Sequence, residues 1–224
     1  MKVIVFGATG MVGQGALREC LADPQVESIL IVGRSTSGVD DPKVREIVHP
    51  DLFDYSGLEG ELTGFDACFF CLGVSAAGMS EEAYHKVSVD LTLAAAKMLV
   101  RLNPEMTFIY ISGAGTDSTE KGRMMWARVK GKTENQLLQL PFKAAYMFRP
   151  AYIQPLHGIQ SRTRAYRVLY GLVGPLFPVL QALFPRYVTT TERVGLAMIR
   201  MAQQGHPQPI LENDAINRLA ATNR

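Results

Sequence analysis

Val3-Ile4-Val5-Phe6-Gly7-Ala8-Thr9-Gly10-Met11-Val12-Gly13 opens a chain of 224 residues. Its first four residues are β-branched or aromatic and read as a short strand. Glycines follow at Gly-x-x-Gly-x-x-Gly spacing, and apolar residues at helical spacing begin at Val12. Glycine lacks a Cβ, so it takes backbone angles closed to other residues and lets another group approach the main chain. The first N–H groups of a helix have no intrahelical partner, and the helix dipole adds positive charge there. Strand, glycine turn and helix start in that order suit an anion such as the pyrophosphate of a dinucleotide. The glycine string alone would carry little information.

Working outward, short apolar runs alternate with helical patterns. Strands are expected at Val3–Phe6, Ser28–Val32, Val44–Val48, Ala67–Leu72, Met106–Ile111 and Ala145–Phe148. Most are continuously apolar, as strands covered on both faces must be. Helices are expected near Val12–Ala22, Glu81–Arg101 and Met125–Leu140, and a further one from Thr191 through Met201. Pro24, Pro104 and Pro141 follow the first three as stop signals. The pattern predicts a doubly wound parallel α/β sheet, the Rossmann arrangement, as one domain over 1–224.

A small apolar C-terminal lobe is expected at 155–190, packed over the substrate cleft. Within it, Val168 to Pro185 carries no charge. Gly171, Gly174, Pro175 and Pro178 break that stretch, which argues against a spanning helix. An oligomer interface is an alternative use for it.

The net charge of +2 gives no footprint for nucleic acid. Cys20, Cys68 and Cys71 do not make a disulfide framework, and no secretory pattern is visible, so the default location is cytosolic. His49, His85, His157 and His206 are scattered, and no metal site is expected.

The second strand ends Ile31-Val32-Gly33-Arg34-Ser35. An NAD site usually places an acid here for the ribose 2′-hydroxyl, whereas an arginine accepts the 2′-phosphate of NADP. NADP is therefore the expected cofactor and NAD the less favoured one. Asp40 or Asp41 folding back onto the ribose remains open.

These motifs resemble the short-chain dehydrogenase/reductase superfamily, in its atypical, TIP30-like and epimerase/dehydratase-like branch, over most of residues 1–160. The resemblance implies that Gly7, Thr9, Gly10, Met11 and Gly13 form the phosphate turn. It sets Asp51 and Leu52 beside the adenine and Gly73 beside the cofactor. It assigns Ser112 to the active site and puts Arg149-Pro150 before backbone near the nicotinamide. The family's Tyr-x-x-x-Lys signature sets a proton-transferring phenol and a ribose-binding lysine on one helix face. Here the matching residues are Trp126-Ala127-Arg128-Val129-Lys130. Lys130 is retained, but an indole N–H has no accessible proton-transfer pKa. The Lys130-Gly131-Lys132-Thr133-Glu134 continuation supports the alignment.

Three functions follow from that substitution. One is a reductase of a small carbonyl substrate that draws its proton from water, Ser112 or Thr116. Another is an NADP(H)-binding sensor or regulator. The last is different chemistry on a nucleotide- or sugar-like substrate. Ser112 and Lys130 are the expected catalytic residues. Tyr152 is a candidate replacement phenol, and His157 a candidate substrate contact. Cys68 and Cys71 have dithiol spacing but lie in a strand, with their side chains on opposite faces. Arg123, Arg128 and Lys132 read as a solvated helix face.

Overall fold

Most of the apolar runs become strands because they can be covered on both faces; the run at Val44–Val48 lies at the sheet edge with no buried residue. The computed structural model describes residues 1–160 and 173–221. The strands are β1 (Lys2–Phe6), β2 (Ser28–Gly33), β3 (Val44–Val48), β4 (Ala67–Phe70), β5 (Thr107–Ile111), β6 (Ala144–Arg149), β7 (Tyr152–Gln154), β8 (Val188–Thr190) and β9 (Ile210–Glu212). The helices are α1 (Met11–Ala22), α2 (Glu81–His85), α3 (Leu91–Leu102), α4 (Met125–Leu138), α5 (Phe177–Leu183), α6 (Thr191–Gln204) and α7 (Asn213–Ala221).

Seven strands form one parallel sheet in the order β3-β2-β1-β4-β5-β6-β9, and β7 pairs with β8 separately. The main sheet is the expected doubly wound Rossmann arrangement. Each of its faces has its own core. Ala16 of α1, Val194 of α6 and Ile216 of α7 belong to one, with Val3 and Val5. Leu99 of α3 and Val129 of α4 belong to the other, with Ile4 and Phe6. Alternate residues of β1 thus feed opposite layers, the period-2 rule at work. The strand order reverses between β1 and β4, and a ligand crevice belongs at the carboxyl ends of those strands.

The structure departs from the sequence reading in three places. The fourth strand stops at Phe70, two residues early. Beyond it the chain crosses close over the glycine turn. A Cβ on Gly7 would lie 2.7 Å from Leu72 N. The single helix expected at Glu81–Arg101 is divided by a π turn at Lys86–Asp90. Strands β7, β8 and β9 have three residues each, too few to show alternation.

The lobe expected at 155–190 lies partly outside the described residues. In its described part, Val179 and Leu183 of α5 are exposed. Among the described residues no helix is long and apolar enough to cross a membrane.

Candidate nucleotide site

Gly7 leaves β1 with φ +75°, an angle that disfavours side chains. The N–H of Gly10 closes the turn on Gly7 O at 2.9 Å, and Gln14 Nε2 donates to Thr9 O at 3.1 Å. A Cβ on Gly13 would fall 2.1 Å from Gly7 O, so only glycine lets α1 start this close to the turn. Gly10 caps α1 with no side-chain hydrogen bond, and the first turn carries no acid. Thr9, Gly10 and Met11 are partly exposed. A narrow backbone cradle facing an uncapped helix start fits a pyrophosphate.

Arg34 and Ser35 are exposed just beyond β2. Arg34 has no ion pair among the described residues. Past β3, Asp51 is exposed and its Oδ1 accepts from Phe53 N at 2.9 Å. Leu52 is buried in the core with Phe6 and Tyr55, which leaves its backbone as the part available to a ligand.

Lys130 is buried on α4. Its Nζ donates to Tyr110 Oη at 2.8 Å and to Ile111 O at 3.3 Å. It also sits 3.9 Å from where a Gly73 Cβ would be, so the ammonium borders the end of β4. Two of its three protons have partners, which leaves one donor for a ligand. Burial pushes its pKa below the usual lysine range, against the opposing pull of Tyr84 and Glu134.

Ser112 is differently engaged. Its Oγ lies 2.5 Å from Glu134 Oε1 and 3.1 Å from Phe148 O. Both are acceptors and a hydroxyl has one proton, so Ser112 faces a ligand as an acceptor. Glu134 is fully buried and paired with Arg149, whose Nε donates to it at 3.0 Å and whose Nη2 donates at 2.5 Å. Hydrogen bonding to Glu134 pushes the Arg149 pKa up. Arg149 also reaches Ser118 Oγ at 2.5 Å and Glu212 at 3.2 Å, joining β6, α4, β9 and the loop after β5.

Sequence reasoning named Lys130, Ser112 and Arg149 but missed their partners Tyr110 and Glu134. The i, i+4, i+8 spacing of Trp126, Lys130 and Glu134 was the available signal. Trp126 Cη2 lies 3.5 Å from where a Gly115 Cβ would be, so the indole covers the loop after Ser112.

The remaining candidates have other work. Thr116 is buried and donates to Gly113 O at 2.7 Å. Tyr152 Oη donates to Gln154 Oε1 at 2.8 Å, and burial raises its pKa. His157 pairs with Glu192 at 2.7 Å. Cys68 and Cys71 belong to cores on opposite faces, and burial pushes the Cys71 thiol up to about 12. Arg128 departs from the solvated face expected of it. It is partly buried, bonded to Glu81 at 2.7 Å and to Gly122 O at 2.8 Å, and ties α4 to α2.

No family model matches the sequence. Protein fmp52, mitochondrial, of Emericella nidulans is 31% identical over 205 residues, covering 88% of this chain and 85% of the relative. HTATIP2 of Rattus norvegicus is 24% identical over 155 residues, covering 68% of this chain and 62% of the relative. UDP-N-acetylglucosamine 4-epimerase from Methanobrevibacter ruminantium M1, solved with UDP-N-acetylmuramic acid, has a TM-score of 0.69 at 16% identity, covering 98% of this chain and 79% of that one. An oxidoreductase of the short-chain dehydrogenase/reductase family from Burkholderia thailandensis has a TM-score of 0.66 at 15% identity, covering 98% and 95%.

The fold is of the Rossmann class that proteins of the short-chain dehydrogenase/reductase family also adopt. Within that class the chain belongs to the FMP52 family. The expected cytosolic location is corrected by the same relative, which is named mitochondrial. The sequence test had addressed only a secretory signal, and import into an organelle follows other rules.

Proposed function

We propose that this chain binds NADP(H) in the crevice between β1 and β4 and uses it to interconvert a small carbonyl compound and its alcohol. Lys130 carries this reading: a buried ammonium at the end of β4 with one donor uncommitted. Burying that charge costs stability unless a ligand uses it. A bound nicotinamide would supply or accept the hydride. The turn at Gly7, Thr9, Gly10, Met11 and Gly13 would hold the pyrophosphate, and Arg34 with Ser35 the 2′-phosphate. Asp51 and the Leu52 backbone would flank the adenine. Lys130 would bond the nicotinamide ribose beside Gly73. With its own proton engaged, Ser112 would receive a donor such as an alcohol hydroxyl. The names of the FMP52 relatives support a mitochondrial setting.

One observation favours a second reading, an NADP(H) sensor with little turnover. Neither Trp126 nor the engaged Ser112 offers a proton to a carbonyl. Titration with NADPH, followed by a panel of aldehydes and ketones, separates the two. NADPH oxidation that disappears in Lys130→Ala supports the reductase. Tight binding without oxidation across the panel supports the sensor.

A further inference from the structure

The loop between β2 and β3 has no helix to hold it, although it carries Arg34 and Ser35. Lys43 ties its far end to the end of α1, and at the Arg34 end a carboxylate holds it. Glu46 of β3 lies opposite Ile31 of β2, two residues before the last pair, Gly33 with Val48. Ser37 N donates to Glu46 Oε1 at 2.9 Å, and the hydroxyls of Thr36 and Ser37 donate to the same carboxylate. Those hydroxyls in turn accept from the backbone, Thr36 Oγ1 from Gly38 N at 3.1 Å and Ser37 Oγ from Val39 N at 3.2 Å. Glu46 therefore anchors two consecutive turns that begin one residue after Ser35.

The charges fit the same arrangement. The Glu46 charge is stabilised by hydroxyl and amide donors, and it has no ion pair with Arg34, which is only three residues before Ser37. A carboxylate sitting where a phosphate should sit would have drawn in the guanidinium. This one is taken up by Thr36 and Ser37 and leaves the Arg34 fork for an outside anion.

We propose that Glu46 is a specificity-determining positioning residue, which fixes the 34–38 loop so that Arg34 and Ser35 meet the 2′-phosphate of NADP(H). This rests on the NADP(H) reading above. A preorganised loop pays less ordering entropy on binding, and only the ligand that touches the loop gains from it. The effect should therefore fall on NADPH and spare NADH.

The test is a titration of the full-length protein and its variants with NADPH and with NADH, following nucleotide fluorescence, beside a melting curve for each. Glu46→Ala is expected to weaken NADPH by about tenfold while NADH changes less than about twofold. The double variant Thr36→Val/Ser37→Ala removes the donors from the other side and should reproduce that pattern even if Glu46→Ala folds poorly. Suppose the native protein prefers NADPH and Arg34→Ala abolishes the preference, but Glu46→Ala and the double variant keep it. Then the positioning role is overturned while the NADP(H) reading stands. Tighter NADPH binding in Glu46→Ala overturns it too, because Glu46 would then be competing for the phosphate site. A native protein with no preference for NADPH removes the NADP(H) reading itself, and this inference with it.

Discussion

Lys130 is a buried cation held by a phenol oxygen and a carbonyl, and its stability consequences follow from its pKa. Burial sets the folded value below the unfolded one. Between the two values the unfolded chain binds more protons, so stability rises with pH across that alkaline window and levels off above the unfolded value, about 10.4. Lys130→Met should abolish that slope and raise the melting temperature near neutral pH by about 2–4 °C. Thermal unfolding at a series of pH values checks this, and a lower melting temperature with an unchanged slope contradicts it. Trp126 supports a complementary prediction. Trp126→Tyr restores a phenol four residues before Lys130, on the same helix face. NADPH oxidation with an aldehyde panel should rise by about a hundredfold, the ordinary worth of a general acid. No gain would mean that the indole is not standing where a proton is needed.

The strand–turn–helix unit at the start of the chain was legible because its residues are constrained locally. Gly7 needs its positive φ, and Gly13 needs room for the turn carbonyl. Gly13→Ala should cost about 1–3 kcal/mol through overpacking and weaken nucleotide binding. Chemical denaturation and NADPH titration would read both effects; a variant with native stability and affinity would show that the turn is not this tight. The main strands were legible for a similar reason, since a fully covered strand must be apolar throughout. The three-residue strands β7, β8 and β9 were not, because their position is set by partners distant in sequence. The candidate site divides in the same way. Lys130 and Ser112 could be named from motif spacing. Helical spacing puts Glu134 on the Lys130 face, but the contacts with Tyr110 and Ser112 depend on the packing of α4 over β5, which no local pattern encodes. Glu46 carries no such motif, and only the path of the loop before β3 gives it three donors.

At the scale of the molecule, the Glu134–Arg149 pair joins α4 and β6 to the C-terminal elements. Arg149 ends β6, Glu134 lies on α4 and Glu212 ends β9. Glu134→Ala would leave a largely buried guanidinium without its main partner and should destabilise the fold by about 3–5 kcal/mol, measurable by denaturant titration. A cost under about 1 kcal/mol would show the pair to be peripheral. In the proposed binding mode a reduced dinucleotide lies along the β1–β4 crevice with its nicotinamide end near Trp126 and Lys130. Trp126 is the only tryptophan in the chain, so its fluorescence reports on that end alone. Titration with NADPH should quench Trp126 saturably, with energy transfer to the nicotinamide, and added NADP should reverse it. Arg34→Ala should shift the curve to higher NADPH concentration. Tryptophan emission that stays constant while NADPH demonstrably binds would place the nicotinamide elsewhere and contradict the account.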